Sequence, residues 1–486
     1  VGDEVKLRAL IDHVPSPHHD VEIEGLSSDS RLIKDHFAFF ALAGAKARGG
    51  DFIKDAIQRG ASVVIGEETS PQDLPREIIY LHVDDARLSL AHAASRFYPR
   101  QPETIVAVTG TAGKSSVADF TRQIFSKSGY RAASLGTIGI TREDRIDYGA
   151  LTTPDPVSLH ETLQALHDDG ITHLAMEASS HGLDQKRLDG VRLTAAAFTN
   201  LGHDHLDYHG TREAYLQAKL RLFDSLLPMG SPAVINADCD DAATIIEKAR
   251  RSGLEIFSVG RAGQSITLKT ARREGFDQII SLDHSGDHYE ITLPLVGEFQ
   301  ISNALVAAGL ALTTGLKADL VFDVLSSLRG VKGRLERVGV HKGGLIIIDY
   351  AHKPDALKAV LETMRPFAEG RLICLFGCGG DRDKEKRALM GAIAHQNADI
   401  TIVTDDNPRS EDAALIRRSI LSAAPGAQEI ADRRDAIQAG ITMLQKGDVL
   451  VIAGKGHETG QIIGDKILPF SDHDVVAASL NEGVRA

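Results

Sequence analysis

Short apolar runs of strand length recur along the chain, each ending in Gly, Asp, Asn or Ser and each followed by a stretch with helical periodicity. Near-continuous apolar runs belong to strands buried on both faces, and their alternation with helices is the pattern of parallel sheets. The pattern predicts an α/β protein in three domains, residues 1–100, 101–330 and 331–486. In the first, HFAFFAL, SVVIG and IIYLHV read as strands, and DFIKDAIQRG and RLSLAHAASRFY as helices. The prolines of YPRQPET mark a linker, after which TIVAV opens a new sheet. That sheet continues with HLAMEAS, AAAFTNL and SPAVIN, and a charged, variable insert from about Leu254 to Glu290 leads into the helix ISNALVAAGLALTTG. The pattern restarts with GLIIIDYAH, RLICLFGCGG, ITIVTDDNPR and DVLVIAGKGHE.

Strands in the second and third domains end in polar residues beyond what a turn needs. In open parallel sheets ligands bind beyond the carboxyl ends of strands, so two site-bearing edges are expected. The first carries TIVAVTGTAGKSSVADF, a strand, a tight loop and a helix start. Here Gly110, Thr111, Ala112 and Gly113 would turn backbone N–H groups onto phosphate oxygens. Lys114 would reach the terminal phosphates, and Ser115 and Ser116 offer hydroxyls. The strict G-x-x-x-x-G-K-[ST] pattern fails, because Val108 stands where its first glycine belongs. A turn with an exposed lysine is the alternative. With this motif the expected fold is a small N-terminal α/β domain, a central P-loop-type parallel-sheet domain and a C-terminal Rossmann-like α/β domain.

Composition narrows the ligands. The 486 residues hold 67 acidic against 54 Lys and Arg, a net charge of −13, so no global basic field exists to hold nucleic acid or an anionic membrane. Anionic ligands need local sites. Three cysteines, Cys239, Cys374 and Cys378, lack zinc-site spacing and read as buried thiols of a reducing compartment. The first residues resemble no signal peptide and no apolar run reaches about 18 residues, so a cytoplasmic protein is expected.

Glu177 ends HLAMEAS, and His205 lies in HDHLDYHG beyond the next strand. Oxygen ligands with an occasional imidazole suit magnesium on nucleotide phosphates better than zinc, and histidines of a polar loop are the alternative. In EAYLQAKLRLFDSL, Tyr215, Leu216, Leu220 and Phe223 form an apolar stripe, with Lys219 beside it as a solvated or snorkelling side chain by default. On the second edge, Arg334, Arg382, Lys384 and Arg409 put cations near strand ends, where a guanidinium holds a carboxylate or phosphate bidentately. Asp349 and Glu458 suit a ribose or an amine. Taken singly, each is an ordinary loop charge.

Taken together, from SSDSR at residues 27–31 to FSDHD at 470–474, these motifs resemble the Mur ligases, ATP-dependent enzymes that build the cell-wall peptide stem on a UDP-sugar carrier. The sequence is most similar to the branch that adds the third amino acid, and TDDNPR resembles its diaminopimelate signature, Asp406, Asn407, Pro408 and Arg409. Diaminopimelate differs from lysine by a far carboxylate, which Arg409 complements. The resemblance implies that Arg382, Gly454 and Glu458 complete that pocket. It implies further that Ser28, Ser30, Ala45, Lys46 and Ala47 meet the uridine part, and Thr152, Thr153, Ser179, Gln185 and Arg187 the muramoyl dipeptide. Asn303 would contact adenine, Asp349 the ribose and Arg334 a phosphate. Ser115, Glu177, His205 and a carbamylated Lys219 would hold magnesium, and Lys114, Lys219, Glu177 and His205 would carry the catalysis. The resemblance also implies a cytoplasmic monomer whose partners are small molecules alone. The sequence departs from the family in Ala112, Ser115 and Ser116, where T-G-T-N-G-K-T-T is usual, and in Leu151, where Asn usually precedes Thr152.

The implied reaction is attack of the D-glutamate γ-carboxylate on the γ-phosphate of ATP, then displacement of phosphate by the diaminopimelate amine. A lysine-adding or folylpolyglutamate-type ligase of the same fold is the nearest alternative. A P-loop switch protein belongs to a second class, and a scaffold to a third.

Overall fold

The computed structural model describes residues 5–44, 48–149, 151–202 and 204–482. The expectations at Ala45, Lys46 and Ala47 lie outside the described residues. The chain forms two compact units, one running to Thr267 with Leu305–Val321, the other Leu268–Ala304 with Phe322 onward.

The first unit begins with a four-stranded sheet in sequence order, Gly25–Ser27, Phe37–Ala41, Ala61–Gly66 and Ile79–His82, all parallel. Successive side chains of FAFFA point to opposite faces, and both faces are covered. Ala38 and Phe40 pack with Leu7, Leu90 and Ala94, while Phe39 packs with Ile53 and Ala56. The helix Ala86–Phe97 starts where the Asp85 carboxylate accepts from the Leu88 N–H.

In the rest of this unit, Thr104–Thr109 lies between His173–Glu177 and Ala195–Phe198, with Ala132–Gly136 beyond the first and Pro232–Asn236 and Glu255–Gly260 beyond the second. These six strands are parallel. The chain leaves Thr104–Thr109 in one direction and later returns to its other side, so a crevice opens at its carboxyl end. An antiparallel edge, Gly139–Thr141 with Ile146–Tyr148, was not anticipated from the pattern.

The segment read as a variable insert is built of strands. Glu255–Gly260, Ile266–Glu274, Asp277–His284 and Asp287–Leu293 fill it, the last two as an antiparallel hairpin. Solvent-facing Lys269, Arg272, Arg273 and Glu274 mask the apolar alternation there.

In the second unit, Gly344–Asp349, Val449–Ala453, Leu372–Phe376, Ile400–Val403 and Gln428–Glu429 run parallel in that spatial order, with Glu336–His341 antiparallel at one edge. Leu345 and Ile347 face the layer of helices Pro354–Met364 and Glu385–Asn397, and Ile346 and Ile348 face that of Arg433–Met443 and Asp472–Glu482. Each of these four side chains is fully buried, contributing roughly 1.5–3 kcal/mol over an exposed one. Val449–Ala453, late in sequence, sits between the two strands that precede it, which makes a second switch point.

Candidate functional site

The loop after Thr104–Thr109 is held from one side by the next strand. Asn200 accepts from the Ala112 N–H at 3.0 Å and from the Thr111 N–H at 2.8 Å through its side-chain and backbone oxygens, and Thr199 Oγ1 donates to the Ala112 carbonyl at 2.7 Å. Gly110 and Gly113 take φ of 145° and 85°, open to glycine at little cost. A β-carbon on Gly110 would collide with the Thr199 hydroxyl. The helix Lys114–Lys127 then points its amino end at the loop, leaving free N–H groups and positive potential there.

Two lysines converge on this loop. Lys114 Nζ donates to the carbonyls of Gly110 at 3.0 Å and Thr111 at 2.8 Å, and Lys219 Nζ donates to the same Gly110 carbonyl at 2.8 Å. Lys219 is 1% exposed and lies 4.3 Å from the Tyr215 ring centroid. Its default reading as a solvated side chain is therefore wrong: the helix Arg212–Arg221 buries it together with Tyr215 and Leu220. Burial, then the neighbouring Lys114, push its amine down to about 6. The Lys114 amine is also lowered, by burial. Just after Lys219 the helix widens into a π-helical turn, Leu222–Leu226.

Ser115 Oγ donates to Glu177 Oε1 at 2.8 Å. Thr137 joins them, its N–H donating to Oε1 at 2.8 Å and its hydroxyl to Oε2 at 3.2 Å. Ser116 is buried one position on. A hydroxyl beside a carboxylate is an oxygen donor set that fits a hard cation such as magnesium. His205 is not joined to that pair. It takes φ of 54°, is half-exposed, lies 3.5 Å from Asp204 and packs its ring on His181.

From Thr137 a polar chain runs outward. Its hydroxyl meets that of Thr152 at 3.0 Å. Thr153 Oγ1 donates to the Glu177 carbonyl and accepts from the Ser179 N–H, and Arg187 Nη1 donates to the Thr153 carbonyl at 2.7 Å. Arg187 also holds Gln185 Oε1, and Gln185 donates to Tyr208 Oη. So Thr152, Thr153, Ser179, Gln185 and Arg187 form one network with Ser115 and Glu177. Thr137 and Tyr208 belong to it and were missed; the polar end of SLGT was the available signal for Thr137. Leu151 is exposed. Ser28 and Ser30 lie in the N-terminal sheet's first strand-end turn, Ser28 exposed and Ser30 buried.

The second unit carries its own crevice, a cavity of about 730 Å³ at the carboxyl ends of its strands, lined among others by Arg382, Asp406, Asn407, Arg409, Gly454 and Glu458. Arg409 takes φ of 54°, fixed by its N–H to the Ile462 carbonyl at 3.1 Å and by Nη1 to the Gly380 carbonyl at 2.9 Å. Arg382 is exposed, donating to the Asp381 carbonyl. Lys384 lies 3.8 Å from Glu411, the ordinary loop pairing weighed for it. Pro408 is buried. Burial pushes the Asp406 carboxyl up. Beneath lies an ion pair missing from the sequence reading, Arg433 with Asp472, doubly bonded at 2.7 Å and fully buried.

The remaining residues assigned to the nucleotide also belong to this unit. Asp349 accepts from the N–H groups of Leu335 at 2.7 Å and Ala351 at 2.8 Å, and burial pushes its carboxyl up. The Arg334 guanidinium lies 5.1 Å from the Tyr350 ring centroid. Asn303, buried in the helix Phe299–Thr313, donates to Gln300. Of the cysteines, Cys374 and Cys378 are buried as expected and Cys239 is half-buried. Among the described residues no cluster of three or more His, Cys, Asp or Glu is arranged to hold a metal, and no helix is long and apolar enough to cross a membrane.

Three domain families match in order: the Mur ligase family catalytic domain over residues 22–98, the Mur ligase middle domain over 108–311 and the Mur ligase glutamate ligase domain over 333–456. The chain is 54% identical over 483 residues to the UDP-N-acetylmuramoyl-L-alanyl-D-glutamate--2,6-diaminopimelate ligase of Mesorhizobium japonicum, covering 98% of this chain and 99% of that one. It is 56% identical over 461 residues to the protein of the same name from Rhizobium meliloti, covering 95% and 94%. A solved structure of a UDP-N-acetylmuramoyl-L-alanyl-D-glutamate--2,6-diaminopimelate ligase superposes with a TM-score of 0.76 at 30% identity, over 99% of this chain and all of that one. With a domain for each part of the fold and identity extending over nearly its whole length, the chain belongs to the Mur ligase family.

Proposed function

We propose that the protein is an ATP-dependent amide-forming ligase that joins meso-diaminopimelate to the D-glutamate γ-carboxylate of UDP-N-acetylmuramoyl-L-alanyl-D-glutamate, in peptidoglycan precursor synthesis. The observation that carries this reading is the crevice of the second unit, where cationic Arg382 and Arg409 and acidic Asp406 and Glu458 line one cavity. A ligand bearing both carboxylates and ammonium groups suits such a lining. Lysine would leave Arg409 without an anion.

The γ-carboxylate oxygen attacks the γ-phosphorus of ATP, the bond to the β-phosphate oxygen breaks, and ADP leaves an acyl phosphate. The diaminopimelate amine, having lost its proton, then attacks the acyl carbon, and the carbon–oxygen bond to phosphate breaks. Phosphoryl transfer rests on positioning and charge rather than on a protein nucleophile. Lys114 and the amino end of the helix Lys114–Lys127 hold the terminal phosphates, Gly110, Thr111, Ala112, Gly113, Ser115 and Ser116 frame them, and Asn303, Asp349 and Arg334 serve adenine, ribose and a phosphate. Ser115, Glu177, His205 and a carbamate on Lys219 are the residues that would hold magnesium, which when bound offsets phosphate charge. An amine lowered to about 6 is largely neutral at pH 7, the form that reacts with carbon dioxide. Ser28 and Ser30 serve the uridine, and Thr152, Thr153, Ser179, Gln185 and Arg187 the muramoyl dipeptide. The division of labour follows residues 1–100 for the UDP-sugar, 101–330 for ATP and 331–486 for the amino acid. The enzyme acts as a cytoplasmic monomer on small molecules, without nucleic-acid or membrane partners.

ADP release should require both the UDP-muramoyl dipeptide and diaminopimelate; release without either sinks the assignment. Arg409→Ala should abolish diaminopimelate use while ATP binding persists, measured by turnover and by nucleotide titration.

A further inference from the structure

Lys455 sits in the turn that follows Val449–Ala453, between Gly454 at φ of 112° and Gly456 at 53°. Both flanking positions refuse a side chain. A β-carbon at Gly454 would stand 2.8 Å from Asp406 Oδ2, and one at Gly456 would stand 2.7 Å from Tyr350 Cβ. The turn folds the lysine back beneath the crevice, where it is fully buried. A buried ammonium is tolerated only when paired and hydrogen-bonded. Its amine donates to Asn407 Oδ1 at 3.1 Å and to Glu458 Oε2 at 3.0 Å.

These bonds fix two crevice residues. Asn407 Oδ1 accepts from Lys455 and from the Ile462 N–H at 2.9 Å, so the amide cannot flip without setting its NH₂ group against two donors. Held that way, Asn407 Nδ2 donates to the same Glu458 Oε2 at 2.9 Å. Both donors thus engage one oxygen of Glu458, leaving Oε1 for a ligand. Glu458 and Asn407 line the cavity and Lys455 is not among its lining residues. Charged groups facing this point include Asp406, Arg433 and Asp472 beneath it, and Arg334, Arg382 and Arg409 around the cavity.

We infer that Lys455 is a positioning residue for the incoming amino acid, acting through Glu458 and Asn407 to hold a carboxylate oxygen where the substrate ammonium binds. This rests on reading the crevice as the diaminopimelate site. The test is steady-state kinetics of Lys455→Met, Glu458→Gln and the double variant, with thermal melting of each. Hydrogen bonds to charged groups predict that Lys455→Met raises KM for diaminopimelate about tenfold or more, with KM for ATP and for the UDP-muramoyl dipeptide within about twofold. In the Glu458→Gln background the same change should add little. Equal shifts in all three KM values, or full additivity in the double variant, overturn the inference. If Lys455→Met fails to fold, Lys455→Gln, which keeps a donor but not the charge, must show a smaller rise in KM confined to diaminopimelate, or the inference falls. A wild-type protein that ignores diaminopimelate in a panel with lysine and glutamate defeats the crevice reading itself, whereas a competent wild type with an unchanged Lys455→Met defeats only the role of Lys455.

Discussion

The phosphate loop of the first unit and the crevice of the second are both built at sheet switch points, yet they handle buried charge in opposite ways. Lys114 and Lys219 give their hydrogen bonds to backbone carbonyls, and both amines are lowered by burial. In the crevice, Arg433 meets Asp472 and Lys455 meets Glu458. An amine buried against carbonyls is disfavoured as a cation until an anion arrives, whereas a paired one is satisfied in the free protein. The difference teaches that the first site holds its electrostatic energy for a polyanionic ligand, while the second is organised in advance to read shape and charge pattern.

The largest effect should come from breaking a compensated pair. Asp472→Ala leaves Arg433 buried without its carboxylate, and a loss of about 3–5 kcal/mol is expected in urea unfolding. Lys219→Met tests the opposite case: turnover should fall by about 10²–10³ for loss of an electrostatic stabiliser, while the melting temperature holds or rises. The sign with pH follows from the lowered amine. Between about 6 and 10.5 the unfolded chain carries a proton on Lys219 that the folded chain lacks, so wild-type stability relative to Lys219→Met should climb as pH rises across that window and level off below it. Carbon-dioxide-free buffer keeps the comparison clean, and an opposite slope would show the amine to be charged in the fold. The smallest effect belongs to Leu151→Asn, an exposed site. Stability should move by no more than about 0.5 kcal/mol, and any kinetic change should be confined to KM for the UDP-sugar substrate.

Much of this was legible from strand-length apolar runs, because strands buried on both faces leave a continuous hydrophobic imprint; Thr104–Thr109, Gly344–Asp349 and Val449–Ala453 were all visible. Strands at the sheet margins were not. Ile266–Glu274 alternates apolar and charged residues and read as a variable insert, and the hairpin Gly460–Ile463 with Lys466–Pro469 leaves Ile467 and Leu468 exposed, giving no one-sided pattern. Burial of single cations was equally hidden. Lys219 sits on a helix whose pattern is compatible with a solvated or a buried lysine, and nothing local in GKGHE tells which way Lys455 points. The polar network through Thr137 and Tyr208 joins segments far apart in sequence, a proximity that only the folded sheet creates.

Val449–Ala453 pairs with both Gly344–Asp349 and Leu372–Phe376. During synthesis those two strands emerge close together and each can pair on its other side, with Glu336–His341 and with Ile400–Val403, but the place between them stays empty until Val449–Ala453 follows. Until then each presents an open, strongly apolar edge. A chain interrupted before Val449 therefore exposes two facing, unpaired strand edges that invite aggregation.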